Sequence, residues 1–343
     1  DKVASEMASR WIRIYLWGVP TVILFRTTQR YLACQNIVLP CLLGAAVGCF
    51  FFHPFILKWA VDHYGFMGSA VALSVTQLVQ ALASLVFIVG MKSSSSYGYE
   101  PKTWPGINIS FITDALRWDE IKTYAKLSIG GVFALSEWWF WESMCVMAGM
   151  FGMEALCVHT IAYQVLPITF MIPLGTSIGL SVRMGAILPF SVYKAKKLAM
   201  YTIMFITVVM SIVSGIVYIF RDEIVSTFST DEAVVEGCHR IWIKVCIHNV
   251  LLGTFVTHCA ILRALGLQWR MAKTIIGVLW FGALPSIYYF TIYEGGGFFL
   301  MWTMVPWWYM ALNIALVIAY TTVSWQDIAD DINKKRARGL SDL

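Results

Sequence analysis

Two carboxylates lie inside a long apolar run of this chain. The segment EWWFWES places Glu137 and Glu142 within the hydrophobic stretch 127–150. An ionisable side chain that faces hydrocarbon costs about 3 kcal/mol or more, so such residues face a bundle interior or a wet cavity. A carboxyl in that position attracts cations and can take up and release a proton. This chemistry is typical of an ion-coupled carrier.

The spacing of the two acids separates their roles. They are five residues apart, which is about 140° around a helix axis, so we expect one to point into a cavity and the other toward a neighbouring helix or the flank of the cavity. Trp138 lies four residues from Glu142, and Trp141 lies four residues from Glu137. Aromatic faces beside a carboxylate attract organic cations. For either acid the alternative is a protonated structural residue, hydrogen-bonded across helices.

The next apolar run adds polar residues near its middle. Tyr163 and Gln164 precede Pro167 and Pro173, and prolines kink a membrane helix and leave carbonyls that can line a cavity. We predict that substrate or protons are bound by six residues, which are Glu137, Glu142, Trp138, Trp141, Tyr163 and Gln164.

The composition indicates an all-α polytopic membrane protein. Of the 343 residues, 59% are hydrophobic and 13% are charged, against about 25% charged in a soluble domain, and the mean hydropathy is +0.69. Apolar runs of about 20 residues can each cross a bilayer. We predict nine spans, at 11–34, 38–60, 67–91, 125–150, 154–182, 195–220, 240–262, 272–293 and 298–322.

Basic residues set the predicted orientation. The segments on the side of the C-terminus carry 18 of the 25 Lys and Arg residues, so the positive-inside rule predicts a cytoplasmic C-terminus. The net charge of +5 therefore reflects topology, and we expect no nucleic-acid partner. The Ser-, Gly- and Pro-rich residues 92–124 are predicted to be a cytoplasmic linker that ends in an interfacial helix, FITDALRWDEIKTY.

An offset of 230 residues aligns the start of the chain with a later part. Asp1 and Arg10 then fall on Asp231 and Arg240, and ALASLVFI falls on ALNIALVI. Such self-similarity indicates duplication, and six crossings between the copies make the two halves parallel. We therefore expect a parent of twelve helices in two bundles, of which this chain lacks the first three. The predicted domains are 1–91 (second half of the N-lobe), 92–124 (linker), 125–322 (C-lobe) and 323–343 (cytoplasmic tail).

Other chemistries find little support in the sequence. The eight cysteines form no CxxC pair and are interpreted as packing residues. His248 and His258 have no metal-ligand spacing, so no metal and no cofactor are expected. The chain contains no Walker A motif. Transport driven by an ion gradient is therefore favoured over transport driven by ATP.

Several motifs resemble one family of transporters. EWWFWE resembles the EWW-x-x-E signature of eukaryotic multidrug and toxic compound extrusion (MATE) transporters, and MIPLGTSIGLSVRMG resembles their M-I-P-x-G-x-S-x-x-x-S-V-R-V-G stretch. FRDEIVSTFSTDEAVV, ILRALGLQ and YLACQNIVLP resemble further family segments. The motifs follow the order of the family's fourth to twelfth helices and cover essentially the whole chain.

The resemblance implies a twelve-helix, two-lobed antiporter that exports small organic cations against protons, or against sodium in some relatives. The acidic positions of the family's seventh helix match Glu137 and Glu142, with Glu137 the stronger candidate. Gln164 and Leu252 stand where relatives carry acids, and Ala186 and Pro189 replace a family Asn and Gly. We expect a monomer in the plasma membrane or in a vacuolar or other organelle membrane.

Two other functions are kept as alternatives. A lipid-linked or polysaccharide flippase of the same superfamily would need a basic groove, and the spans contain no cluster of Lys or Arg. A membrane-embedded enzyme would use His248 or His258, which have no nucleophile or metal partner in the sequence.

Overall fold

The protein is built from consecutive helices. The computed structural model describes residues 2–35, 37, 39–90, 113 and 116–341. Across these residues helices are joined by short turns and no strand is present, which confirms the predicted fold class. The α-helices are α1 (Lys2–Leu16), α2 (Val19–Cys34), α3 (Leu39–Val47), α4 (His53–Tyr64), α5 (Gly68–Gly90), α6 (Trp118–Ala134), α7 (Ser136–Met150), α8 (Met153–Ile187), α9 (Val192–Ile219), α10 (Arg221–Phe228), α11 (Glu232–Ala264), α12 (Gln268–Ile275), α13 (Leu284–Tyr288), α14 (Gly297–Thr321) and α15 (Trp325–Ser341).

Wide helical turns join some of these helices into longer runs. A π-helical segment, Gly48–Phe52, links α3 to α4, and Ile276–Ala283 links α12 to α13. Each of these segments lies just before a proline, Pro54 or Pro285. A proline has no N–H to donate to the carbonyl four residues earlier, and π turns accommodate such a local change in hydrogen bonding.

Within the part of the chain that the structure describes, six helical segments are long and apolar enough to cross a membrane. They are Leu39–Val89, Met153–Ile187, Val192–Ile219, Glu232–Ala264, Gln268–Tyr293 and Gly297–Thr321. The predicted count of nine spans is not confirmed. Large apolar side chains such as Phe50, Phe55 and Phe281 are exposed on these segments, as expected where the neighbour is lipid.

Two predicted spans are wrong as continuous helices. The span 11–34 is broken at Trp17 and Gly18, where a turn separates α1 from α2, and Pro20 near the start of α2 favours a new helix there. The span 125–150 is broken at Leu135, which ends α6 and precedes α7. The helix α6 already begins at Trp118, inside the predicted linker. The remainder of that linker lies almost entirely outside the described residues.

The chain divides into two units, Asp1–Ala115 and Leu116–Leu343. The first contains α1 to α5. Here α5 packs against α2 and α4, and Trp11 Nε1 donates a hydrogen bond to Ser69 Oγ over 2.8 Å. Its buried apolar cluster is small and centres on Leu32, Cys41 and Ile88.

The second unit is organised around α11. Most residues in the most apolar stretch of this 33-residue helix are buried. The helix packs against α8, α9 and α14. Glycines allow the close approach, because a Cβ on Gly253 would lie 2.6 Å from Met210 Cγ of α9. Buried Asn249 ties three helices together, since its Oδ1 lies 2.7 Å from Thr169 Oγ1 of α8 and its Nδ2 donates to Ser214 Oγ of α9. Interhelical hydrogen bonds of this kind are typical of membrane bundles.

Helix bounds in the two units follow the 230-residue offset seen in the sequence. The segment Lys2–Cys34 falls on the bounds of α11, and α5 falls within one residue of α14. The first π segment falls within the second. Gly65 and Gly295, which are 230 residues apart, both have positive φ, at 58° and 76°. These agreements extend the predicted repeat from residues to backbone features.

Candidate functional site

Glu137 lies at the start of a helix within the apolar region. Because α6 ends at Ala134 and α7 begins at Ser136, the carboxylate belongs to the first turn of α7. The N–H groups of a first turn have no partner within the helix, and the helix dipole there favours negative charge. The backbone break thus provides a favourable place for a carboxylate that a continuous helix would lack.

Two neutral donors hold the carboxyl of Glu137, whose side chain is only 5% exposed. Tyr309 of α14 donates its hydroxyl to Oε1 over 2.6 Å. Trp141 Nε1 lies 3.0 Å from the same oxygen and 2.8 Å from the hydroxyl of Tyr309. Both contacts end on Oε1, and Oε2 takes no hydrogen bond from the described residues. Oε2 therefore keeps its acceptor capacity unused by these residues.

A cavity of about 30 Å³ adjoins this carboxyl. Its wall includes Glu137, Trp138, Trp141 and Tyr163, together with the apolar side chain of Leu252. The volume is enough for one or two water molecules. The cavity thus places one carboxyl among aromatic faces, an arrangement that attracts cations.

Aromatic rings and two histidines surround Trp141. Its ring centroid lies 5.0 Å from that of His248, 6.2 Å from that of His159 and 6.0 Å from that of Trp302. Both histidines are fully buried, and their ring nitrogens have no hydrogen-bond partner among the described residues. Buried polar groups are normally paired. These rings therefore leave unused donor and acceptor capacity beside Trp141, although neither histidine lines the cavity.

Four of the six predicted site residues come together at this cavity. Glu137, Trp138, Trp141 and Tyr163 all line it. The relation inferred from i, i+4 spacing is present as the hydrogen bond from Trp141 to Glu137. The binding roles of these residues stay predictions.

The other two predicted residues lie elsewhere. Glu142 and Gln164 are exposed and do not line the cavity. Gln164 directly follows Tyr163 on α8, so its side chain points about 100° away. The helix α8 runs without interruption through Pro167 and Pro173.

The sequence does not predict the residue that makes the shortest hydrogen bond to Glu137, which is Tyr309. Tyr309 lies 172 residues away, and no motif connects the two positions. A polar hydroxyl in the apolar run PWWYM was the available signal, because buried tyrosines usually find a hydrogen-bond partner. His159 was missed for a similar reason, since it is an isolated polar residue near the start of a span.

The site offers no metal centre within the described residues, because no group of three His, Cys, Asp or Glu side chains converges there. The eight cysteines are all unpaired, and Cys41, Cys238, Cys246 and Cys259 are buried.

A helical membrane protein with a buried carboxyl beside an aromatic cavity is the class that the fold and the site define. Residues 131–287 match the MatE family model. The chain is 24% identical over 278 residues to human multidrug and toxin extrusion protein 1, covering 78% of this chain and 45% of that protein. It is 26% identical over 239 residues to the Xenopus tropicalis protein of the same name, covering 68% and 39%.

The backbone resembles that of a solved eukaryotic MATE transporter, AtDTX14, with a TM-score of 0.80 at 16% sequence identity. The match covers 95% of this chain and 70% of the solved chain. Together these findings show that the chain is similar in sequence and in fold to MATE transporters. The chain spans less than half the length of the two curated relatives given above.

Proposed function

We propose that this chain takes part in secondary active export of organic cations in exchange for protons. The observation that carries the proposal is the buried carboxyl of Glu137, which opens on an aromatic cavity between helices. The match of residues 131–287 to the MatE family model and the name of the curated relatives, multidrug and toxin extrusion proteins, support the same function.

In this proposal a proton and a cation compete for one carboxyl. The cavity of about 30 Å³ is too small for an organic cation, so binding requires a conformation in which the cavity is wider. In that conformation the ionised form of Glu137 attracts the cation through its charge, and the faces of Trp138, Trp141 and Tyr163 add cation–π attraction. Protonation neutralises Oε2 and removes the Coulomb attraction, so the cation is released. The hydrogen bonds to Oε1 hold the carboxyl in place in both states.

The composition of the site favours a proton over sodium as the coupling ion. Hard metal cations are usually held by several oxygen ligands at once. The cavity wall offers one carboxylate, and its remaining residues are aromatic or apolar apart from the hydroxyl of Tyr163. A proton needs only one carboxyl oxygen.

The first test is transport by the charge-neutral variant. The purified chain is reconstituted in liposomes, and uptake of labelled tetraethylammonium is measured with a pH gradient of either polarity. Glu137→Gln is expected to abolish flux driven by the pH gradient, because the exchangeable proton site is gone. The control is Glu154→Gln, which removes an exposed acid from the first turn of α8.

Unchanged flux in Glu137→Gln would contradict the proposed role of this carboxyl. A sodium gradient that drives uptake equally well at constant pH would contradict the proposed coupling ion.

The flippase alternative makes a different demand on the site. Phosphate-bearing substrates need basic side chains, and no Lys or Arg lines the Glu137 cavity. The organic-cation proposal therefore fits the charge of this cavity better.

A further inference from the structure

A second and larger pocket lies in the unit formed by residues 116–343. Its volume is about 470 Å³, and it is bounded by α9, α11, the end of α14 and the start of α15. It shares no wall residue with the Glu137 cavity. A volume of this size accommodates a small organic ligand or part of a lipid.

The side chain of Lys196 lies over an aromatic ring, that of Trp325, in the wall of this pocket. The ammonium of Lys196 lies 5.6 Å from the centroid of the Trp325 ring. Trp325 is buried and donates its indole N–H to the carbonyl of Tyr320 over 2.9 Å. The hydroxyl of Tyr320 in turn lies 3.2 Å from His258 Nδ1. The wall is thus fixed by hydrogen bonds, while Lys196 itself is exposed.

An apolar row continues from this cation along α9. Met200, Met204 and Val208 follow Lys196 at intervals of four residues, so they lie on one face of the helix. They are 52%, 59% and 59% exposed. The row from residue 196 to residue 208 is about 18 Å long at 1.5 Å per residue. This length is close to that of an acyl chain within one leaflet, which is about half of the 30 Å hydrocarbon core.

We propose that this pocket binds an acidic phospholipid of the surrounding membrane. The phosphate lies at Lys196 beside Trp325 and Thr321, and an acyl chain lies along Met200 and Met204. The combination of a basic mouth and an apolar row fits an anionic amphiphile better than a free anion, which would leave the apolar row unused. Basic pockets between membrane helices are known to hold acidic headgroups.

The site is separate from the proposed transport site. A failed transport test at Glu137 would leave the lipid proposal standing, and a failed lipid test would leave the transport proposal standing.

The test is lipid retention by the purified full chain in detergent, measured by native mass spectrometry. Phosphatidylglycerol and phosphatidylcholine with the same acyl chains are titrated separately, so that headgroup charge is the main difference. We expect preferential retention of phosphatidylglycerol, and Lys196→Gln is expected to weaken its apparent affinity about fivefold. Lys194→Gln is the matched control, because Lys194 is exposed in the same turn region but does not line the pocket.

A third variant and a soluble competitor complete the test. Lys196→Arg keeps the charge and is expected to retain the lipid. The melting temperatures of Lys196→Arg and Lys196→Gln are expected to equal that of the native chain, which would show that the fold is intact in both. Millimolar glycerophosphate, which has the headgroup phosphate without acyl chains, is expected to displace nothing. Equal retention of the two lipids, equal losses in Lys196→Gln and Lys194→Gln, or displacement by glycerophosphate would each overturn the proposal.

Discussion

The carboxyl of Glu137 is stabilised by three features that act at short range. It lies in the first turn of α7, it accepts a hydrogen bond from Tyr309, and Trp141 lies one helical turn ahead with its N–H directed at the same oxygen. Hydrogen bonds to a charged acceptor are the stronger ones. The site therefore fixes the position of a group that would otherwise be costly in a membrane.

The contact between Tyr309 and Glu137 gives a prediction about stability. We expect Tyr309→Phe to lower the free energy of unfolding by about 1 kcal/mol, because a buried interhelical hydrogen bond is lost. The measurement is chemical denaturation in mixed micelles. Tyr163→Phe is the control, since Tyr163 lines the same cavity without a hydrogen bond to Glu137.

A double variant checks the origin of that loss. In the Glu137→Leu background, Tyr309→Phe should cost much less than in the native chain, because the partner is already gone. Equal costs in the two backgrounds would show that the tyrosine acts through packing instead.

The exposure of Glu142 leads to a prediction for the second acid. Since it lies outside the Glu137 cavity, we expect Glu142→Gln to raise the KM for tetraethylammonium severalfold at most and to leave flux driven by the pH gradient intact. The liposome assay measures both quantities. Complete loss of pH-driven flux would mean that the two acids work as one proton site.

At the level of single residues, the sequence indicated only part of the site. The pair Glu137 and Trp141 could be predicted, because i, i+4 geometry is local. Tyr309 could not, because its contact depends on how α14 packs against α7. Gln164 is predicted as a site residue because it is polar and lies near the middle of its span, yet its side chain faces a different direction from that of the adjacent Tyr163.

At the level of helices, the hydrophobic pattern of the sequence does not reveal where a helix is broken. A break within an apolar run does not change the hydropathy of the run, so the spans 11–34 and 125–150 looked continuous. Gly18 and Pro20 offered a visible signal for the first break. Leu135 offered none, because it is a good helix former. In the structure α6 packs mainly against α12, where Trp269 Nε1 donates to the carbonyl of Lys126, whereas α7 packs mainly against α8.

The contact between α9 and α11 gives a prediction at the level of helices. Because a Cβ on Gly253 would come within 2.6 Å of Met210 Cγ, Gly253→Ala is expected to cost about 1–3 kcal/mol of stability. Gly215→Ala on α9 is the matched control, since a Cβ there meets nothing within 4 Å. It should be neutral or slightly stabilising. Apparent melting temperatures in detergent distinguish the two.

A melting temperature for Gly253→Ala equal to that of the native chain would mean that Met210 moves aside without loss. In that case α9 and α11 would be less tightly packed than the structure indicates.

Over the whole molecule, composition was sufficient to predict the fold class, and the motifs were sufficient to predict the similarity to MATE transporters. High hydrophobicity and long apolar runs admit few architectures, because every backbone polar group must be paired inside a bilayer. The number of spans was harder to predict, because it depends on helix breaks such as those at Gly18 and Leu135. The 230-residue repeat was visible in scattered residues, and the helix bounds follow the same offset.

The exposed phenylalanines provide a test of the membrane surface. Phe281 is 78% exposed in the middle of the segment Gln268–Tyr293, whereas Phe190 is 80% exposed in the turn between α8 and α9. We expect Phe281→Asp to disfavour insertion by about 3 kcal/mol, because an acid would then face hydrocarbon. Phe190→Asp should be tolerated. The measurement is the fraction of each variant that inserts into membranes during cell-free synthesis, and equal fractions would contradict a lipid-facing position for Phe281.

The separation of 172 residues between Glu137 and Tyr309 also concerns the order in which the protein is made. Translation runs at about 5–20 residues per second, so roughly 10–30 seconds separate the appearance of the acid from that of its tyrosine. During that interval the carboxyl of Glu137 in the nascent chain cannot accept a hydrogen bond from the hydroxyl of Tyr309. This contact therefore cannot form before α14 has been made, and a ribosome stalled before α14 would leave the acid without that partner.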